Sequence, residues 1–143
     1  VLQNANAKAM SVMEKADELP VLGADTLVDL YGEALGKPAD AAEAVIMLSK
    51  LSGKIHKVYT GIAVIDPKTG ITYQDHTVTD VLFRSLSSEE IDDYVCSGDP
   101  LDKAGAYGIQ GRGALLVESI NGCFYNVMGL PLSKLWQILL KIS

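Results

Sequence analysis

Asp40-Ala41-Ala42-Glu43-Ala44-Val45-Ile46-Met47-Leu48-Ser49-Lys50-Leu51-Ser52-Gly53 is followed, four residues later, by Val58-Tyr59-Thr60-Gly61-Ile62-Ala63-Val64-Ile65. In the first run Ala41, Ala44, Val45, Leu48 and Leu51 recur at the spacing of one helix face. Asp40 with Glu43 three positions on forms a capping-box pattern, and Ser52-Gly53 ends the helix. The second run is apolar and β-branched, which predicts a strand. Asp66-Pro67-Lys68-Thr69-Gly70 then reads as a turn, and residues 71–84 as a long strand with mixed alternation, so that the two strands make a hairpin. A helix feeding a hairpin predicts an α/β domain whose mixed sheet is flanked by helices.

Toward the N-terminus, Leu2, Ala5, Ala9, Val12, Met13 and Ala16 lie at helical spacing with Lys8 beside the apolar stripe. Val21-Leu22-Gly23-Ala24 is a short apolar run that ends in Asp25-Thr26 and precedes a turn at Tyr31-Gly32, which places Asp25 on or at the end of a buried strand. Toward the C-terminus, Ser87 with Glu90 opens a short helix that stops before Gly98. Ala104-Gly105-Ala106-Tyr107-Gly108-Ile109-Gln110-Gly111-Arg112-Gly113 packs four glycines into nine residues, which forbids a regular helix and lets backbone approach a ligand. Residues 114–120 and 124–128 are expected as strands joined through Asn121-Gly122, and Ser133 is expected to cap a last helix with Leu135, Ile138, Leu139 and Ile142 on one face. With no repeat or linker, residues 1–143 are expected to form one domain with two lobes.

Twelve Lys and Arg against eighteen Asp and Glu give a formal charge of -6, which excludes a surface dedicated to nucleic-acid backbone or anionic lipid. An anionic ligand must therefore be gripped by a local cluster of cations. No apolar run is long enough to span a membrane, and the first residues do not form a signal peptide, so a soluble, cytoplasmic protein is expected. Cys96 and Cys123 read as free thiols, and His56 and His76 are too few for a metal cluster, His56 reading as structural. The sequence lacks an initiator Met and opens in helix-like residues, from which a fragment is expected.

Asp25, Lys37 and Lys103 interrupt apolar or glycine-rich context in ways packing does not ask for. Gly32-Glu33-Ala34-Leu35-Gly36-Lys37-Pro38 is not a P-loop, having three residues between its glycines and a proline after the lysine. Gly108-Ile109-Gln110-Gly111-Arg112-Gly113 has the wrong glycine order for a dinucleotide fingerprint.

Five segments in order, however, resemble the successive motifs of the Maf (septum-formation) family. They are Gly23-Ala24-Asp25-Thr26; Leu35-Gly36-Lys37-Pro38; Leu51-Ser52-Gly53 with His56, Val58, Thr60 and Gly61; Asp102-Lys103-Ala104-Gly105-Ala106-Tyr107-Gly108-Ile109-Gln110-Gly111; and Gly129-Leu130-Pro131-Leu132. The resemblance covers essentially the whole chain. It implies a two-lobed, inosine-triphosphatase-like fold with a central cleft, a nucleoside triphosphate pyrophosphatase requiring Mg2+ or Mn2+, and a homodimer. It places the essential carboxylate, as catalyst or metal ligand, on Asp25 and the conserved lysines on Lys8 and Lys37. Lys103 joins the substrate-binding set. Asp-Thr in the first motif and Tyr-Gly-Ile-Gln in the loop mark the branch acting on dTTP and UTP, so that Thr26 and Gln110 are the expected specificity residues.

The residue types suit that chemistry. Cleavage between the α and β phosphates needs a water aimed at the α-phosphorus, a group that takes its proton or holds a metal, and cations on the departing pyrophosphate. A primary amide such as that of Gln110 offers a donor and an acceptor side by side, matching the O4 acceptor and N3 donor of uracil or thymine. The family's N-terminal strand and its segment of Ser and paired arginines, which grips phosphate, are not found in this sequence. Two other readings compete: a pyrophosphatase for 7-methyl-GTP or another modified nucleotide, and a non-catalytic nucleotide-binding regulator of cell division.

Overall fold

A computed structural model describes residues 1–142. Among the described residues the helices and strands follow in the order α1 (Leu2–Met10), β1 (Val21–Leu30), β2 (Glu33–Leu35), α2 (Ala41–Leu51), β3 (Ile55–Ile65), β4 (Thr72–Phe83), α3 (Ser88–Cys96), β5 (Val117–Asn121), α4 (Phe124–Met128) and α5 (Leu132–Ile142). The strands form one sheet in the order β2-β1-β3-β4-β5, with β1 antiparallel to β2 and β4 antiparallel to β5. This is the expected α/β architecture. The chain divides into two compact units, one made of Val1–Thr26, Tyr59–Val78 and the stretch from Cys123, the other of Leu27–Val58 and Thr79–Gly122. Among the described residues no helix is long and apolar enough to cross a membrane.

In the first unit the period-2 alternation of the strands sorts side chains onto two faces. Val21, Ala63 and Ile65 pack with Ala5 and Ala9 of α1, while Ile62 and Val64 pack with Ile138 and, around it, Ala24, Leu130, Leu135, Leu139 and Ile142. A helix therefore lies on each face of this part of the sheet. The face of α5 expected from the sequence is the one that packs. That helix begins two residues earlier than a Ser133 cap would place it: it starts at Leu132, and Leu135 N–H donates to the Pro131 carbonyl at 3.1 Å, so Ser133 sits inside the first turn instead of capping it.

In the second unit both sequence-derived caps form, Asp40 accepting from the Glu43 N–H at 2.8 Å and Ser87 from the Glu90 N–H at 3.1 Å. The helices α2 and α3 pack against each other, and Val28, His56, Val58, Val81, Phe83, Tyr94 and Tyr107 are buried. His56 is structural, as expected. Its Nε2 shares a 2.7 Å hydrogen bond with the Tyr107 hydroxyl, and its ring meets Phe83 and Tyr107 edge-on at centroid distances of 5.0 and 5.4 Å.

Burial pushes the His56 imidazole down from 6.5 to about 4. The ring stays neutral in the folded chain but takes up a proton near its ordinary value once unfolded. Its contribution to stability is therefore complete above about pH 6.5 and is lost as pH falls toward 4. The span corresponds to roughly 3 kcal/mol. Urea unfolding at pH 7 and pH 4.5 should show a loss of that order which a His56→Gln variant lacks; equal slopes in the two proteins would refute it.

The expected C-terminal hairpin also fails. Residues 124–128 were expected as the second strand of a hairpin turned at Asn121-Gly122, but they form α4, which ends at Gly129 in the left-handed conformation (φ 110°). Only β5 is a strand, paired along the edge of the sheet with β4 from Asp80 opposite Asn121 to Phe83 opposite Val117. Gly122 (φ 138°) carries the chain out past Thr79, where a Cβ would come within 2.7 Å of the Thr79 hydroxyl. The short β2 was not foreseen. Asp25 lies on a strand, as expected, in the middle of β1, which runs on to Leu30.

Candidate active site

Alternation along β1 points Val21, Gly23 and Asp25 to the α1 face and Ala24 and Thr26 to the other. Gly23 brings helix and strand together: a Cβ there would lie 2.0 Å from the Ala5 carbonyl oxygen and 2.6 Å from the Ala9 nitrogen. Across this close contact Lys8 Nζ donates to Asp25 Oδ1 at 3.0 Å and to the Ala24 carbonyl at 2.9 Å. Asn4, one helical turn before Lys8, donates its Nδ2–H to Asp25 Oδ2 at 3.2 Å. Both carboxylate oxygens are thus held by donors from one face of α1. The Asp25 side chain keeps 20% of its surface exposed and Lys8 keeps 57%, so the cluster is open to a ligand.

Asn4 was missed by sequence reasoning. Its signal was available in principle, because positions i and i+4 of a helix share a face and Lys8 was already placed on it. An Asn4→Ala variant should leave the fold stable and lower turnover about three- to tenfold by freeing Asp25 Oδ2. Steady-state rates beside a thermal melt check this, and unchanged rates would remove Asn4 from the site.

Thr26 is turned away from this cluster. Its hydroxyl hydrogen-bonds that of Thr60 at 2.9 Å, and Thr60 donates to the backbone carbonyl of Asn126 at 2.9 Å, so that a line of polar groups ties β1 and β3 to α4. The structure thus gives Thr26 a bracing contact beside the carboxylate and does not bring its side chain to Asp25.

The second unit gathers the remaining residues. The Gly36-Lys37-Pro38 loop accepts a 3.1 Å hydrogen bond from the Gly105 N–H through its Gly36 carbonyl, which ties it to the glycine loop. Lys103 Nζ donates to Asp102 Oδ1 at 2.9 Å and to the Asp99 carbonyl at 3.0 Å. That hydrogen bond holds the Asp102 carboxyl below its usual range, with Lys37 adding a smaller pull of the same sign, and it raises the Lys103 ammonium. The Lys103 stem lies across Gly108, where a Cβ would meet it at 2.8 Å. Gln110 is exposed and extended, just before the turn Gly111–Leu116. Lys37, Lys103 and Gln110 therefore belong to one linked pair of loops.

A metal ion finds no cage of three or more His, Cys, Asp or Glu side chains among the described residues. Asp25 remains a fitting ligand for magnesium or manganese. An ionised carboxylate has about four lone-pair sites, of which Asn4 and Lys8 use two, and Mg2+ is commonly held by one or two carboxylates together with phosphate oxygens and water.

The first unit thus carries a carboxylate clamped by a lysine and an asparagine, and the second carries two lysines on linked glycine-bearing loops. The sequence profile described as Maf-like protein matches residues 1–142. Proteins named dTTP/UTP pyrophosphatase are similar along the chain: that of Clostridium botulinum (strain Okra / Type B1) is 48% identical over 146 residues, covering 100% of this chain and 75% of the relative. The Aquifex aeolicus (strain VF5) protein of that name is 51% identical over 139 residues, 97% of this chain and 72% of the relative. A Bacillus cytotoxicus protein is 50% identical over 135 residues, 94% and 70% respectively. The chain belongs to the Maf family.

Proposed function

We propose that the chain is a nucleoside triphosphate pyrophosphatase that hydrolyses dTTP and UTP to the monophosphate and pyrophosphate. The observation that carries the reading is the Asp25 carboxylate, held at both oxygens by Asn4 and Lys8 in a chain about half identical to proteins named for that activity. Asp25 accepts the proton of a water whose oxygen attacks the α-phosphorus; the bond from that phosphorus to the bridging oxygen breaks, and pyrophosphate leaves with the bridging oxygen. Lys8 holds the carboxylate in place and offers its remaining N–H to phosphate oxygen. Lys37 and Lys103 supply positive charge for the polyphosphate, and Gln110 faces the base. Asp25 would also be the protein ligand of a divalent cation, which when bound neutralises phosphate charge and acidifies water.

Cytoplasmic location and a homodimer belong to the same reading, the second checked by sedimentation velocity. Pyrophosphate release from dTTP, UTP, CTP, GTP, ATP and 7-methyl-GTP, with Mg2+ or Mn2+, tests the reaction. The panel is run on this chain and on the chain extended by a family segment bearing Ser and paired arginines. Turnover led by UTP and dTTP is the expected result. Preference for 7-methyl-GTP would move the substrate, and nucleotide binding without release by either protein would make this a regulator.

A further inference from the structure

The glycine loop is held by more polar anchoring than packing requires. Gly105 (φ 71°) and Gly111 (φ 64°) adopt the left-handed conformation, and so does Ala106 (φ 63°), a buried non-glycine residue. Strained backbone of this kind persists only where the surroundings over-determine it. Here they do. Gly105 sits on Val28 with no room for a Cβ, the Tyr107 ring is wedged between His56 and Phe83, and the Tyr107 hydroxyl meets His56 Nε2 at 2.7 Å. The Gly108 N–H donates to the Tyr94 hydroxyl at 3.0 Å, and Gly113 abuts the Gly108 carbonyl so closely that a Cβ would overlap it.

Two consecutive residues are therefore pinned by rings from two other elements, His56 of β3 and Tyr94 of α3. An apolar pair in place of His56 and Tyr107 would fill the same space without burying an imidazole whose Nδ1 finds no partner among the described residues. What the polar pair adds is direction: it fixes the loop along one line, two or three residues before Gln110.

That fixity answers a problem in reading the base. Uracil presents an acceptor at O4 and a donor at N3, whereas cytosine presents a donor and an acceptor at the corresponding places. The amide of an exposed Gln110 can turn over and satisfy either base, so by itself it does not discriminate. A peptide group held between two anchored residues turns over far less readily than a side-chain amide does. Among the described residues neither the Ile109 nor the Gln110 N–H donates to a backbone carbonyl, and both lie between the pin at Gly108 and the turn at Gly111.

We infer that His56, Tyr94 and Tyr107 are positioning residues that hold the peptide groups of residues 109–110 at one height, and so set the preference for uracil and thymine over cytosine. All three are buried and would act through the loop they hold. The inference rests on the pyrimidine pyrophosphatase reading.

The test is kcat and KM for UTP, dTTP and CTP in the unaltered protein and in Tyr107→Phe and Tyr94→Phe, each of which keeps its ring and loses one hydroxyl. The ratio of kcat/KM for UTP over CTP is expected to fall about tenfold in each variant, through a raised KM for UTP with kcat changed less than about twofold. A variant that melts like the parent but keeps the parental ratio overturns the inference. If Tyr107→Phe does not fold, Tyr94→Phe decides alone, since its lost bond is to one backbone N–H. An unaltered protein that turns over nucleotides without preferring UTP to CTP overturns the inference and the pyrimidine reading together, whereas a preference that survives in both variants overturns the inference alone.

Discussion

The Asp25→Asn protein is expected to release pyrophosphate about 10²- to 10⁴-fold more slowly than its parent, the range a lost general base or metal ligand costs. Its fold should persist. Asn has the size of Asp and keeps one oxygen that can accept from Lys8 Nζ or Asn4 Nδ2, the two donors that hold the carboxylate. The pair it breaks is partly exposed, with 57% of Lys8 open, and ion pairs of that kind contribute no more than about 1 kcal/mol. A melting temperature within a few degrees of the parent is therefore expected, because about 1 kcal/mol shifts a domain of this size by only a few degrees. Rate and melt must be read together. Full activity would remove Asp25 from the chemistry, and a collapsed melt would show that the carboxylate serves the fold.

How much of this site could be read from the sequence depends on whether each contact is local. The Asp40 and Ser87 caps depend on residues three apart, and both formed as read. The packing face of α5 follows from helical spacing alone. Residues 124–128 fail for the converse reason: Phe-Tyr-Asn-Val-Met suits a strand by composition, but β5 already closes the edge of β4 and the left-handed Gly129 ends a helical turn. Asn4 and Asp25 meet across 21 positions, a distance no local pattern reports. The opposite facing of Asp25 and Thr26, in contrast, was legible from strand alternation. Adjacent residues of one strand cannot aim at one face, so a motif that joins them must use the second for something else, here the hydroxyl line through Thr60 to α4.

The second large effect is expected at a residue that has no side chain. Gly23→Ala places a Cβ 2.0 Å from the Ala5 carbonyl oxygen, 2.6 Å from the Ala9 nitrogen and 3.1 Å from the Ala5 carbonyl carbon. All three atoms are backbone, so no rotamer change can relieve the clash and α1 must move away from β1. Ala5 and Ala9 are fully buried on the inner face of that helix, and lifting it opens their contacts with Val21, Ala63 and Ile65. Overpacking against backbone costs about 3 kcal/mol, which for a domain of this size lowers the melting temperature by roughly 10 °C. The same displacement draws Lys8 and Asn4 away from Asp25, and a misplacement of about 1 Å can cost on the order of 10²-fold in rate. Loss of stability and loss of turnover are thus expected together, from a methyl group that touches neither substrate nor carboxylate. Gly36→Ala supplies the comparison, since a Cβ there meets nothing within 4 Å and should leave the melt unchanged. Calorimetry on the two variants separates the cases. If Gly23→Ala melts with its parent, α1 does not rest on β1 at this glycine, and the clamp on Asp25 must be maintained by something other than the approach of helix to strand.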